Sequence, residues 1–289
     1  MKEFKTYHPI VNFIYFLLVI GLSMFIMHPV SLGITLFCAI LYIAILKGRK
    51  AALISILSAI PVMLSGAVIN PLFSHEGVTV LRYLPSGNPL TAESIYYGIA
   101  AATMLMSVII HFSSYNEIMT SDKFIYLFGR IIPSLALVIS MTLRFVPSFI
   151  SRLREITTVQ RTLGISMSEG SIIKRLRAAI RILSILITWS LENAVETADS
   201  MKSRGYGLSG RTSYSIFHFE KRDLIALLWM IILVLIIFAG IYYGALSYTY
   251  FPVFVLGKFS LGIHLAYFLL CITPIIIEMR EAIRWKAIK

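Results

Sequence analysis

SIIKRLRAAIRILSILITWSLENAVETADSMKSRGYG, residues 171–207, is the stretch on which the reading of the whole chain turns. Ile173, Leu176, Ile180, Leu183, Ile187, Leu191, Ala194, Ala198 and Met201 recur at spacings of three and four, one continuous apolar stripe of a helix over Ser171–Arg204. Lys174, Arg175, Arg177 and Arg181 lie mostly off that stripe, near its start. Ser168 or Ser171 suits the N-cap, and Glu169 suits the positive end of the helix dipole. Gly205 and Gly207 stop the helix and leave Arg204 at its tip.

Working back from this segment, PSLALVISMTLRFVPSFISRLREITTVQRTLG, Pro133 to Gly164, predicts a second long helix. Pro133 fits its first turn, Pro147 predicts a kink, and Gly164 predicts the stop. Each helix is about 45 to 50 Å long at 1.5 Å per residue. The short ISMSEG turn, Ile165 to Gly170, joins the two as a hairpin. Leu135–Val146 and Ile182–Leu191 are apolar enough to keep a pair of ordinary membrane spans in play. Against that pair stands Arg144 in mid-segment, where a charge costs about 2.5 to 3.5 kcal/mol on insertion scales; Glu192 and Glu196 raise the same objection for the second helix.

The surroundings are those of an integral membrane protein. Of 289 residues 58% are hydrophobic and only 14% charged, and mean hydropathy is +0.83. Six apolar runs are long enough to cross a bilayer: Ile10–Met27, Val30–Leu46, Ala51–Ile69, Ala92–Phe112, Leu224–Ala245 and roughly Phe259–Ile277. The fold class expected is therefore an all-α membrane protein of about six spans, with a long cytoplasmic helical hairpin between spans four and five. Its organisation reads as residues 1–112 (spans one to four), 113–223 (the hairpin region) and 224–289 (spans five and six).

Residues 113–223 hold 15 of the 26 lysines and arginines. With both termini cytoplasmic, only Arg82 and Lys258 break the positive-inside pattern, so membrane topology accounts for the net charge of +12 without a nucleic-acid partner. The first apolar run lacks a small-residue cleavage pattern and reads as a retained span rather than a signal peptide.

Other motifs carry less. GYGLSG, Gly205 to Gly210, matches a dinucleotide fingerprint in letters, but follows a helix where that fold needs a strand. There is no P-loop sequence, the six histidines lack metal-ligand spacing, and Cys38 and Cys271 read as packing residues. GIYYG, Gly240 to Gly244, is a small-xxx-small pattern that marks a close helix contact. The spans carry neither the mid-membrane ionisable residues of an autonomous permease nor the clustered carboxylates of an embedded enzyme; the other alternative is a membrane scaffold.

NPLTAESIYYG (Asn88–Gly98), SMTLRFVPSF (Ser140–Phe149) and ADSMKSRGYGLSGRT (Ala198–Thr212) resemble the transmembrane T component of energy-coupling factor (ECF) transporters, the family that includes CbiQ-like cobalt subunits. The resemblance implies a bacterial, multi-pass cell-membrane subunit that is not itself an enzyme and binds no cofactor or metal. Its partners would be two ABC-type ATPases, which bind the ATP, a small membrane S component that selects a vitamin or a transition-metal ion, and membrane lipid. It also implies that each long helix ends in a small-Arg-Gly motif docking on one ATPase. Ser203, Arg204 and Gly205, with Gly207 behind them, match the second motif. In the first, the arginine position falls on Leu163, giving Thr162-Leu163-Gly164, while Arg161 sits about 200° around the helix from it. The S component would lie against the stripe of Ile180, Leu183, Ile187 and Leu191.

Overall fold

Two His-Pro pairs start the chain's first long helices. In His8-Pro9 and His28-Pro29 the imidazole Nδ1 accepts from the backbone N–H two residues on, at 3.3 Å in both cases. Proline fits the first helical position because its missing N–H is one the helix cannot use. The computed structural model describes residues 3–83, 89–129, 132–165, 171–208, 217–258 and 260–288. After a 3-10 turn at Glu3–Thr6 come α1 (Pro9–Phe25), α2 (Pro29–Lys47) and α3 (Arg49–Phe73). The strands β1 (Val80–Tyr83) and β2 (Pro89–Thr91) pair antiparallel and lead into α4 (Ala92–Ile118) and the short α5 (Ser121–Gly129). Then follow α6 (Pro133–Thr162), α7 (Ile172–Ser203), α8 (Lys221–Tyr242), a second small hairpin of β3 (Tyr248–Thr249) with β4 (Val255–Leu256), and α9 (Leu261–Ile288).

All six expected spans are helices: α1 to α4, α8 and α9. Seven described helices are long and apolar enough to cross a membrane, α6 and α7 among them; α1, at 17 residues, is a shorter apolar helix. Length and composition therefore do not separate the hairpin helices from the spans. The chain does separate them, into one compact unit of Met1–Phe124 with Phe217–Lys289 and another of Ile125–Ile216. The first and last segments of the chain fold together, and both hairpin helices belong to the other unit.

In the first unit α1, α2, α8 and α9 share a core built on Tyr15, Phe16, Tyr42, Met230, Tyr267 and Leu270. Cys38 and Cys271 are free thiols fully buried in it, as packing residues would be. The α3–α4 contact is backbone against backbone. A Cβ added at Gly66 would fall 2.5 Å from the carbonyl oxygen of Gly98. Asn70 seals the contact by donating its Nδ2 to the Ser94 carbonyl at 2.6 Å. Leu57, Leu64, Leu235 and Phe238 are exposed on α3 and α8, the face a bilayer would cover.

One end of this unit is stitched by buried polar groups. Asp223 accepts from the backbone N–H of His8 and of Glu220, both at 2.9 Å, closing a capping box at the start of α8. Lys123 donates its Nζ to the Lys5 carbonyl, and burial, with Lys5 beside it, holds its pKa down to about 8. The backbone N–H of Phe4 donates to Glu278 at 3.3 Å. The N-terminal segment, the start of α8 and the late turns of α9 therefore meet at a single end. His28 and His264, both buried with ring nitrogens 3.4 Å apart, lie near the start of α2 and of α9. Glu93, at the first turn of α4, is buried and accepts from the Thr79 hydroxyl at 2.7 Å.

Candidate functional site

The second unit is built on the antiparallel pair α6 and α7. The pair is pinned where Phe149 meets Trp189 edge to face at 5.6 Å and the Arg152 guanidinium lies over the same indole, also at 5.6 Å. Glu155 holds Arg152 there with an ion pair at 2.8 Å. Toward the turn, Ile156, Ala178 and Ile182 are buried, Ile182 to 1% exposure. The face of α7 that packs is thus the one carrying Ala178, Ile182 and Trp189. The neighbouring stripe stays uncovered within this chain: Ile180, Leu183, Ile187 and Leu191 are 59, 54, 50 and 65% exposed.

On the other side of the Trp189 pin the pair encloses a groove of about 610 Å³. Ser140 and Arg144 of α6 line it, and Asn193, Glu196, Ser200 and Arg204 of α7 face them. Arg144 and Glu196, each an objection to a lipid crossing on its own helix, thus line one groove, alongside apolar Leu137, Met141, Phe145 and Met201. The register also sets where the two expected motifs lie. Arg204 is beside Leu137 and Ser140, while Leu163 lies 26 residues further along α6, about 39 Å at the helical rise. The two motifs stand at opposite ends of the pair.

The motifs themselves end their helices alike. α6 is regular through Thr162, Leu163 is its C-cap, and Gly164 follows in the left-handed region at φ +77°. The N–H of Gly164 donates to the Arg161 carbonyl at 3.1 Å and that of Ile165 to Gln160 at 2.9 Å. In α7 the C-cap is Arg204 and the left-handed residue is Gly205 at φ +73°. The N–H of Gly205 donates to Lys202 at 2.9 Å and that of Tyr206 to Met201 at 3.0 Å. Both are Schellman endings, in which a glycine takes the φ that a Cβ disfavours and recovers two carbonyls the helix leaves unpaired. Leu163 and Arg204 occupy the same position of the same motif, with φ and ψ of −84° and 7° against −83° and 10°.

The flanking residues agree as well. Thr162 bonds back to the Val159 carbonyl at 2.7 Å, and Ser203 to Asp199 at 2.8 Å. Arg161 stays within the regular helix, so it does not come round to the cap position. Gly207 has a left-handed φ of +91° and turns the chain once more after Tyr206. Ser171 is the N-cap residue of α7 but makes no side-chain cap, and Ser168 and Glu169 lie outside the described residues. Leu163 is 66% exposed and Arg204 is exposed at the mouth of the groove.

Fold and site together define a class: a polytopic α-helical membrane protein with a long basic helix pair between its fourth and fifth apolar spans. The chain belongs to the CbiQ family, described as cobalt transport protein, which matches residues 5–214. Among its relatives, the energy-coupling factor transporter transmembrane protein EcfT of Lactobacillus helveticus (strain DPC 4571) is 42% identical over 104 residues, 36% of this chain and 38% of that protein. The protein of the same description from Bacillus selenitireducens (strain ATCC 700615 / DSM 15326 / MLS10) is 45% identical over 94 residues, 32% of this chain and 35% of that one. That of Staphylococcus aureus (strain 04-02981) is 29% identical over 159 residues, 53% and 59% of the two chains. The matched stretch is thus little more than a third of each of the first two relatives.

Proposed function

We propose that the chain is the transmembrane coupling subunit of an ECF-type importer. It joins two cytoplasmic ABC-type ATPases to a small membrane S component and serves the uptake of a vitamin or a transition-metal ion. The observation that carries this reading is the pair of matched Schellman endings at opposite ends of α6 and α7, each offering one exposed side chain beyond a rigid helix. Two ATPases would each take one end. The chain has no nucleotide or metal site in this reading; ATP binds to the partners, and the orientation puts both termini and the hairpin in the cytoplasm.

The two ends offer different chemistry. At Arg204 a planar guanidinium can take a carboxylate or several carbonyls with two parallel hydrogen bonds at a desolvated contact. Leu163 offers apolar area alone. Closure of the ATPases on ATP would draw the two ends through a helix pair pinned at Trp189, and the exposed stripe of Ile180, Leu183, Ile187 and Leu191 would carry that motion to the S component. Such coupling requires that the contacts at the two sites differ between two states. The test is copurification from the native host through a tag on this chain. Two different ATPases and one small membrane protein are expected in stoichiometric amounts, and the isolated chain should hydrolyse no ATP. Recovery of the chain alone, with substrate uptake retained in vesicles that hold nothing else, would contradict the proposal.

A further inference from the structure

A second groove, of about 490 Å³, lies in the membrane unit between α8 and α9. Its long axis follows from how the two helices pack. Gly240 of α8 sits against Ile263 of α9, so close that a Cβ there would fall 2.6 Å from the Ile263 Cγ2. Stepping from that contact toward the start of α8 and the end of α9 brings Trp229 level with Thr273, and Arg222 level with Arg280. All four line the groove. Seven residues separate each arginine from its deeper neighbour, about 10 Å of helix. Arg222 is the second residue of α8, and Arg280 lies three residues past the apolar run of α9 that ends at Ile277. The groove thus runs from a polar rim with two guanidinium groups into apolar walls of Ile225, Ile276 and Trp229.

The rim is preorganised for an anion. Glu220 takes the Nε edge of Arg222 at 2.9 Å, and the Tyr7 ring lies under its guanidinium at 5.1 Å, so the group is held in one orientation. Arg280 is exposed on the other side of the same rim. Among the described residues that line the groove are two arginines and no carboxylate. A soluble anion would use only the rim and leave the apolar walls wet. A ligand matching both halves has a phosphodiester at the top and an acyl chain below it. We propose that this groove binds an anionic phospholipid, its phosphate bridging Arg222 and Arg280 and one acyl chain lying along Ile225, Ile276 and Trp229. Guanidinium groups take phosphate oxygens in parallel hydrogen bonds, and indole rings favour this depth of the interface.

The test uses the full chain in nanodiscs and in mild detergent. Native mass spectrometry would follow phosphatidylglycerol retained through delipidation, against phosphatidylcholine. Wild type should hold phosphatidylglycerol selectively. Arg222→Gln and Arg280→Gln should each weaken retention roughly fivefold, the factor one basic side chain near an anionic surface is worth. Lys50→Gln, at the start of α3 and outside the groove, should change nothing. Ile276→Trp, which fills the apolar half and keeps both arginines, should also release the lipid, and guards against misfolding of the arginine variants. Equal retention by a variant carrying both Arg222→Gln and Arg280→Gln, or by Ile276→Trp, overturns the proposal. So does an equal loss in Lys50→Gln, which would mean general basic attraction, or a thermal stabilisation by inorganic phosphate as large as that by phosphatidylglycerol, which would mean an anion site without a lipid.

Discussion

The ends of α6 and α7 share a backbone and differ in one side chain. Both close with a glycine in the left-handed region, both recover the same two carbonyls, and the C-cap residues agree in φ and ψ to within a few degrees. Tyr243-Gly244 closes α8 in the same way, with the N–H of Gly244 on the Ile241 carbonyl and that of Ala245 on Gly240. The ending alone is therefore an ordinary way to stop a helix. What distinguishes α6 and α7 is the placement of their ends on one antiparallel pair and the contrast between an exposed leucine and an exposed arginine. The glycines fix the geometry, and the residue before each fixes the chemistry offered to a partner.

The largest effect should come from the charged end. Arg204→Ala should weaken docking of one ATPase by about 2 to 5 kcal/mol, the range for truncating one side of a buried charged pair. Arg204→Lys should recover little, since an ammonium lacks the planar fork. Retention of each ATPase through detergent purification reads both variants. At the apolar end, Leu163→Asp should cost about 1 to 3 kcal/mol at the other ATPase, the range for a polar group buried without a hydrogen bond, the carboxyl being protonated in the apolar contact. If Leu163→Asp instead releases the ATPase that Arg204 holds, the two ends share a partner and the comparison breaks.

Gly164→Ala and Gly205→Ala test the shared backbone. Each puts a Cβ at a left-handed φ and should destabilise its helix end by roughly 1 kcal/mol, read as faster amide hydrogen exchange over the last turn. The two should be nearly equal, with Gly205 slightly worse because its Cβ would sit 3.0 Å from the Leu208 Cδ1 while that of Gly164 meets nothing within 4 Å. The smallest effect belongs to Arg161→Ala, under about 0.5 kcal/mol, as for a surface change away from any special feature. A loss as large as that of Arg204→Ala would show that α6 frays in the complex and that Arg161, rather than Leu163, meets the partner.

Much of this contrast was legible in the sequence, for physical reasons. Glycine stops and a 3.6-residue apolar period are local properties, so Gly164, Gly205 and both long helices could be read directly. The register that puts Leu163 at the arginine position of the first motif came from the family resemblance, not from spacing. What the stripe could not reveal was which face packs: Ala178, Ile182 and Trp189, offset from the most regular apolar row, make the contact with α6. That choice depends on Phe149 and Arg152, some 40 residues away. Opposite placement of the two ends follows from antiparallel packing of the two helices.

The membrane unit gives the same lesson. GIYYG contains one packing glycine, Gly240, and one helix cap, Gly244. The tightest glycine contact instead pairs Gly66 with Gly98 across two helices, and no single-segment pattern contains both. His8 and His28 looked like scattered histidines because a side-chain cap becomes visible only once the following proline is known to start a helix.

The most direct test of the account is site-specific photocrosslinking in the assembled complex, with a photoreactive amino acid at position 163 in one preparation and at 204 in another. The account predicts that position 204 crosslinks to one ATPase and position 163 to the other, with neither reaching both. Crosslinks from both positions to the same ATPase, or from neither to any, would contradict it.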